Sequence, residues 1–151
     1  MRCSALQDNM CLILVISIII FPALFSCATT QQKAASYKSR GITYGQKGEP
    51  DQAISDCNKA IEINPRSAHA YTGRGEAYND KGDYDQAISD FNKALEIEPK
   101  FALAYYDRGR SYYFKKEYDK SWEDIKRAQD LGYKIPAEFL EDLRKASGRQ
   151  D

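Results

Sequence analysis

The sequence predicts an all-α fold in which pairs of helices stack into a solenoid. Shifted by 34 residues, the chain aligns with itself without gaps, and residues 51–56 recur letter for letter at 85–90. Apolar and small residues within one period recur at helical spacing. Pro65 and Pro99 separate successive periods, because proline cannot continue the interior of a helix. A repeat of this length indicates stacked units that bury a shared core.

The second period shows the two helices of a unit. Tyr71, Gly75 and Tyr78 share one helical face, and Gly82 then ends that helix. A second apolar stripe, residues 84–95, runs from the turn toward the next proline. Small residues on both helices, above all Gly75, are expected to let the two backbones approach closely, with aromatic side chains filling the space around the crossing.

The aromatic, Gly, Tyr, Ala, aromatic, Ala and Pro residues at these offsets resemble the signature of the tetratricopeptide repeat family over residues 34–135. The resemblance implies an α-solenoid of three helix-turn-helix repeats. Their bounds are 34–67, 68–101 and 102–135. The third repeat departs from the pattern, with Lys116 in place of the turn Gly and Ile125 in place of the aromatic. In the first repeat Cys57 stands where Phe91 stands in the second, so we expect a buried core thiol.

Residues 136–146 are predicted to form a seventh, capping helix, since proline suits its first turn. Its apolar residues Phe139, Leu140 and Leu143 can cover the open end of the third repeat. Solenoids need such a cap for solubility. The remaining residues, 147–151, are expected to be a disordered tail.

The first 26 residues form a separate segment. Residues 12–25 carry no charge, and this run is shorter than the ~20 residues of a membrane-spanning helix, as in a secretory signal peptide. It ends in Leu24, Ser26 and Cys27, which resemble the lipobox of bacterial lipoproteins. The resemblance implies cleavage before Cys27, lipid attachment at its thiol, and a short tether over 27–33.

Lipid attachment would place the protein in the bacterial cell envelope as a membrane-anchored lipoprotein. Ala28 stands where an Asp often retains a lipoprotein in the inner membrane, so the resemblance favours the periplasmic face of the outer membrane over the inner membrane. Two alternatives stay open. The segment could be an ordinary signal peptide, or an uncleaved anchor, with Cys27 incidental in either case.

Composition argues against several classes of function. Lys plus Arg and Asp plus Glu both total 22, so no overall charge favours nucleic acid. His69 is the only histidine, and no two cysteines have a CxxC spacing, which disfavours a zinc site. No catalytic motif or phosphate-binding glycine loop occurs. We therefore expect no enzyme activity, cofactor, metal or small-molecule substrate.

The family resemblance implies that the first helix of each repeat lines a concave groove. The residues mapped to that lining and predicted to bind a partner are Lys38, Ile42, His69, Thr72, Glu76, Asn79, Tyr106, Arg110 and Tyr113. The alternative is that these are only solvated helix positions. Tyr106 and Tyr113 favour binding, because they lie off the core stripe and aromatic residues are frequent at interface hot spots. Truncating them is expected to affect binding more than stability.

Two hypotheses for the function remain once one known peptide-binding mode of the family has been tested against the sequence. Chaperone-binding tetratricopeptide domains hold a C-terminal carboxylate with a Lys/Asn/Asn/Lys/Arg clamp, of which Lys38 matches but Ile42, Gly73, Leu103 and Tyr106 do not. That clamp is therefore not expected here. The main hypothesis is a membrane-anchored scaffold that binds a protein or peptide for assembly or localisation of envelope machinery. The alternative is a structural repeat protein that self-associates.

Overall fold

The computed structural model describes residues 47–149 and, ahead of them, residues 32, 33, 35–37, 39, 40 and 43. The predicted signal peptide and several predicted site residues lie outside the described residues. They are Cys27, Lys38 and Ile42. The short described stretch before residue 44 is helical. Of the helices that are described, none is both long and apolar enough to cross a membrane.

Six helices follow in the continuous part of the chain. They are α1 (Pro50–Ile63), α2 (Ala68–Lys81), α3 (Tyr84–Ile97), α4 (Ala102–Phe114), α5 (Tyr118–Asp130) and α6 (Ala137–Ser147). The second helices of the three repeats, α1, α3 and α5, begin one 34-residue period apart. No strand occurs over residues 47–149. The predicted all-α solenoid is confirmed.

The two helices of each repeat cross at small residues. A Cβ built on Gly75 of α2 would lie only 2.7 Å from Cε1 of Phe91 on α3, and Phe91 is fully buried. In the first repeat Cys57 replaces that ring and is 1% exposed, so the predicted core thiol is confirmed. Its burial raises the pKa of the Cys57 thiol to about 11, which keeps it protonated and unreactive at neutral pH.

Successive repeats share a core made mainly of small side chains. Ala68 of α2, Ala94 and Leu95 of α3 and Ala104 of α4 form one buried cluster. Aromatic and aliphatic side chains pack around it, including Tyr71, Ile97, Phe101 and Tyr105. Each repeat therefore buries its apolar face only when its neighbour is present.

The third repeat keeps the helix pair despite its substitutions. Lys116 adopts φ 64°, close to the φ of 80° at the corresponding Gly82. The turn is therefore retained, although the left-handed conformation is less favourable for lysine than for glycine. Ser121, in place of the first Ala, is fully buried, and its Oγ donates to the carbonyl oxygen of Gly109 at 2.7 Å. Ile125 packs against Gly109 as Phe91 packs against Gly75.

A ladder of arginines joins the helices at the same repeat position. Arg74 donates from Nε and Nη2 to both carboxylate oxygens of Asp90 at 2.8 and 2.6 Å, and from Nη1 to Asn58 of the preceding repeat at 2.6 Å. The same three bonds recur one period later. They join Arg108 to Asp124 and Asn92. Arg40 holds Asp56 in the same bidentate way and lowers the pKa of that carboxyl.

The C-terminal helix continues the solenoid. Arg149 pairs with Asp119 at 2.7 Å, one period after Lys115 pairs with Asp85. Leu143 is fully buried, and Trp122 Nε1 donates to Ser147 Oγ at 3.0 Å. The helix thus begins and ends one residue later than predicted, and the expected disordered tail does not start at residue 147, since Ser147 is helical and Arg149 is paired.

Candidate partner-binding groove

The first helices of the second and third repeats, α2 and α4, touch each other directly. The candidate groove is defined here as the surface formed by their facing residues. The structure brings seven of the predicted residues to these helices. They are His69, Thr72, Glu76 and Asn79 on α2 and Tyr106, Arg110 and Tyr113 on α4.

Two of the α2 residues are engaged within the fold instead of lining an open surface. Thr72 is 2% exposed, and its Oγ1 donates to the carbonyl oxygen of Ala68 at 3.1 Å. Asn79 accepts a hydrogen bond of 2.8 Å from Ser111 Oγ on α4. The structure therefore removes Thr72 from the accessible lining and gives Asn79 a partner within the fold.

The two tyrosines pack against the C-terminal part of the chain. The Tyr106 ring stacks on Tyr133 with centroids 4.9 Å apart and meets the edge of Phe139 at 5.8 Å. Tyr113 meets Phe139 at 5.4 Å. Both are half-buried and pack on Phe139 of α6, so truncating either of them should lower stability as well as binding.

Two of the predicted residues each have an accessible side chain beside an aromatic ring. His69 is exposed and stacks on Phe101 at 4.6 Å. The Arg110 side chain is 36% exposed, and its guanidinium lies 5.8 Å from the centroid of the Tyr106 ring. Both offer a polar or cationic group beside an aromatic ring, a combination common at protein interfaces.

Sequence reasoning missed a buried carboxyl group at the centre of this surface. Asp107 on α4 is 2% exposed, and no described residue donates a hydrogen bond to its Oδ2. Arg110 Nη1 reaches only Oδ1, at a long 3.5 Å. Burial raises the pKa of Asp107 well above its usual range, and the negative charge of Glu76 raises it further.

Glu76 is the immediate neighbour of that group. The negative charge of Glu76 acts directly on Asp107, and because two neighbouring carboxylates repel, it favours a proton on one of the two carboxyls. Burial also raises the pKa of Glu76 and of Asp80, which lies one turn further along α2. Three acidic side chains therefore cluster around the single cation Arg110 in the described part of the groove.

A sequence signal for Asp107 does exist. It stands one period after Gly73 and two periods after Ser39, so an ionisable residue occupies a position where the other repeats carry a small one. Within the described residues, no group of three or more His, Cys, Asp or Glu side chains is placed so that it could hold a metal ion.

Family models for the tetratricopeptide repeat match residues 34–67 and 57–89, and a model described as TPR repeat matches 75–115. The chain belongs to the tetratricopeptide repeat family. No curated protein matches it.

Solved tetratricopeptide domains are similar to this chain. The first such domain of Spaghetti (RPAP3), bound to the HSP90 peptide SRMEEVD, is 28% identical over 78% of this chain and 93% of that one, with a TM-score of 0.71. The TPR2B domain of yeast Sti1, in a pHsp70 complex, is 27% identical over 79% and 99%, with a TM-score of 0.69. MamA is 30% identical over 67% and 59%, with a TM-score of 0.61.

Proposed function

We propose that this tetratricopeptide protein is a scaffold that binds a peptide segment of a protein partner in the groove between α2 and α4. The observation that carries the proposal is the likeness, over most of both chains, to domains solved with bound HSP90 and Hsp70 segments. The accessible side chains His69, Glu76 and Arg110 lie on the two helices that form this surface. They would orient the segment by hydrogen bonds and charge.

We further propose that the scaffold is anchored to a membrane of the bacterial cell envelope, where it assembles or localises envelope machinery. The support is in the sequence: the uncharged run 12–25, which includes Leu24, and the residues Ser26 and Cys27 that follow it. Two acyl chains suffice for stable anchoring. The periplasmic face of the outer membrane is the proposed location, since Ala28 follows the lipobox cysteine.

The groove is tested by one variant and one matched control. A partner is captured from detergent-solubilised membranes, and its affinity is then measured for the wild type, Arg110→Ala and Lys93→Ala. Lys93 is a half-exposed cation on α3, away from the groove. Loss of a binding hot spot costs at least ~2 kcal/mol, about thirtyfold in affinity, so Arg110→Ala should weaken binding by that factor and Lys93→Ala should not.

The same measurement distinguishes partner binding in the groove from the alternative function, self-association of the repeats. If both variants bind as the wild type does, with unchanged melting temperatures, the groove is not the binding surface. A wild-type chain that forms a concentration-dependent oligomer in sedimentation would then favour self-association of the repeats.

Anchoring has its own test. A labelled fatty acid should enter the wild-type protein and be absent from Cys27→Ala, because acylation requires the thiol at that position. Cys57→Ser serves as the control, since the Cys57 thiol is buried in the repeat core. Equal labelling of Cys27→Ala and wild type would contradict the lipoprotein proposal.

A further inference from the structure

We propose that the Glu76–Asp107 carboxyl pair receives a basic side chain, Lys or Arg, of the segment bound in the groove. This inference rests on the proposed function and names the chemistry of its partner. It begins from an unmatched group: Asp107 Oδ2 is buried and receives no hydrogen bond from any described residue. Native proteins satisfy nearly all such atoms, so an orphaned one requires a reason.

The internal cation does not satisfy the pair. Arg110 approaches Asp107 at 3.5 Å, longer than the ~2.7–2.9 Å of a charge-assisted hydrogen bond. Its guanidinium lies instead over Tyr106. The arginines of the structural ladder, such as Arg108 with Asp124 at 2.6 Å, show how closely this fold pairs opposite charges where the pairing is internal.

Local charge favours a cationic occupant. Glu76 is close to both Asp80 and Asp107, and Arg110 is the cation that acts on all three. Glu76 is partly buried, whereas Asp107 is fully buried. Glu76 is therefore the more accessible of the two carboxyls to a Lys or Arg side chain in the groove, and Asp107 adds its negative charge beside it.

Binding of a cation would also replace the proton on the Glu76–Asp107 pair. Without an occupant, repulsion between the two neighbouring carboxylates, one of them buried, favours a proton on one of them. An ammonium or guanidinium group brings the positive charge that the proton supplied. The proton is then released to solvent, and both carboxylates accept hydrogen bonds from the bound cation.

The experiment presents the full chain, in a nonionic detergent, with a pool of short random peptides whose ends are acetylated and amidated. Side chains then supply all the peptide charge. The bound fraction is sequenced, and single peptides from it are titrated. We expect Lys and Arg to be enriched and Asp and Glu depleted. Glu76→Gln should lower the affinity for the basic peptides by ~10-fold or more, which is the range for losing a charge-assisted hydrogen bond.

Two variants guard the interpretation. Glu96→Gln removes the same charge from the exposed face of α3 and should leave affinity unchanged. Asp107→Asn keeps the shape of the side chain and removes only its charge, so it should fold with an undiminished melting temperature and still lose affinity for basic peptides.

The outcomes are distinct. Peptides that bind without a basic preference, or a preference that survives both Glu76→Gln and Asp107→Asn, overturn this inference and leave the peptide-binding scaffold standing. Tighter binding of the acidic segment SRMEEVD than of the basic peptides would also overturn it. Failure of every peptide to bind would overturn the scaffold itself.

Discussion

Arg74→Ala should lower the free energy of unfolding by ~3–5 kcal/mol, the cost of removing one partner of a buried ion pair. The Arg74 and Asp90 side chains are only 22% and 8% exposed, so the carboxylate left behind would stay in the interior without its cation. The change would also free Asn58 of the preceding repeat. Denaturant unfolding followed by circular dichroism measures the loss.

A second substitution shows whether the unpaired charge is the cause. The double variant Arg74→Met with Asp90→Leu should recover most of the lost stability, because replacing both members of a buried pair by apolar residues is often neutral. Arg66→Ala, an exposed arginine in the turn after α1, should stay within ~0.5 kcal/mol of wild type. A double variant as unstable as Arg74→Ala would contradict this account.

Gly75→Ala should destabilise the protein even though alanine is the better helix former. The new methyl would lie 2.7 and 2.9 Å from Cε1 and Cζ of the fully buried Phe91 ring. Overpacking of this kind costs ~1–3 kcal/mol, and the helix-propensity gain of ~1 kcal/mol offsets only part of it. Thermal unfolding should give a lower melting temperature.

The third repeat supplies the control. A methyl on Gly109 would meet Cδ1 of Ile125 at 3.1 Å, the end of a flexible side chain, so Gly109→Ala should be milder than Gly75→Ala. Adding Phe91→Ile to Gly75→Ala copies the pairing of the third repeat and should restore part of the loss. Equal melting temperatures for the two Gly→Ala variants would refute the steric explanation.

These two predictions concern features that the sequence showed to different degrees. Gly75 on the first helix of the unit and Phe91 on the second were enough to predict the helix crossing, because a small residue lets the two backbones approach and an aromatic ring fills the space around them. Arg74 and Asp90 both recur at the 34-residue offset. Repetition alone, however, did not reveal that they pair, since a period aligns equivalent positions and does not say which residues of a unit touch.

The candidate site was less accessible to sequence reasoning. Mapping by repeat position placed Glu76, Arg110 and Tyr106 on the correct helices. It could not separate residues that face the groove from those that face the adjoining helix, because residues of both kinds occur within a single helical turn. The mapping therefore did not predict that Thr72 is buried or that Tyr106 packs against Tyr133. Asp107 was overlooked, although it differs in type from Gly73 one period earlier.

The sequence by itself determined the repeat architecture of this protein, because a periodic pattern of small, aromatic and proline residues admits one way to bury its apolar face: by stacking like units. It also determined the turn positions, apart from Lys116. Only the tertiary structure decided which polar side chains form contacts between helices and which remain accessible to a partner. That outcome depends on the angle and distance between α2 and α4, which set the burial of Asp107 beside Glu76 and leave its oxygen without a donor.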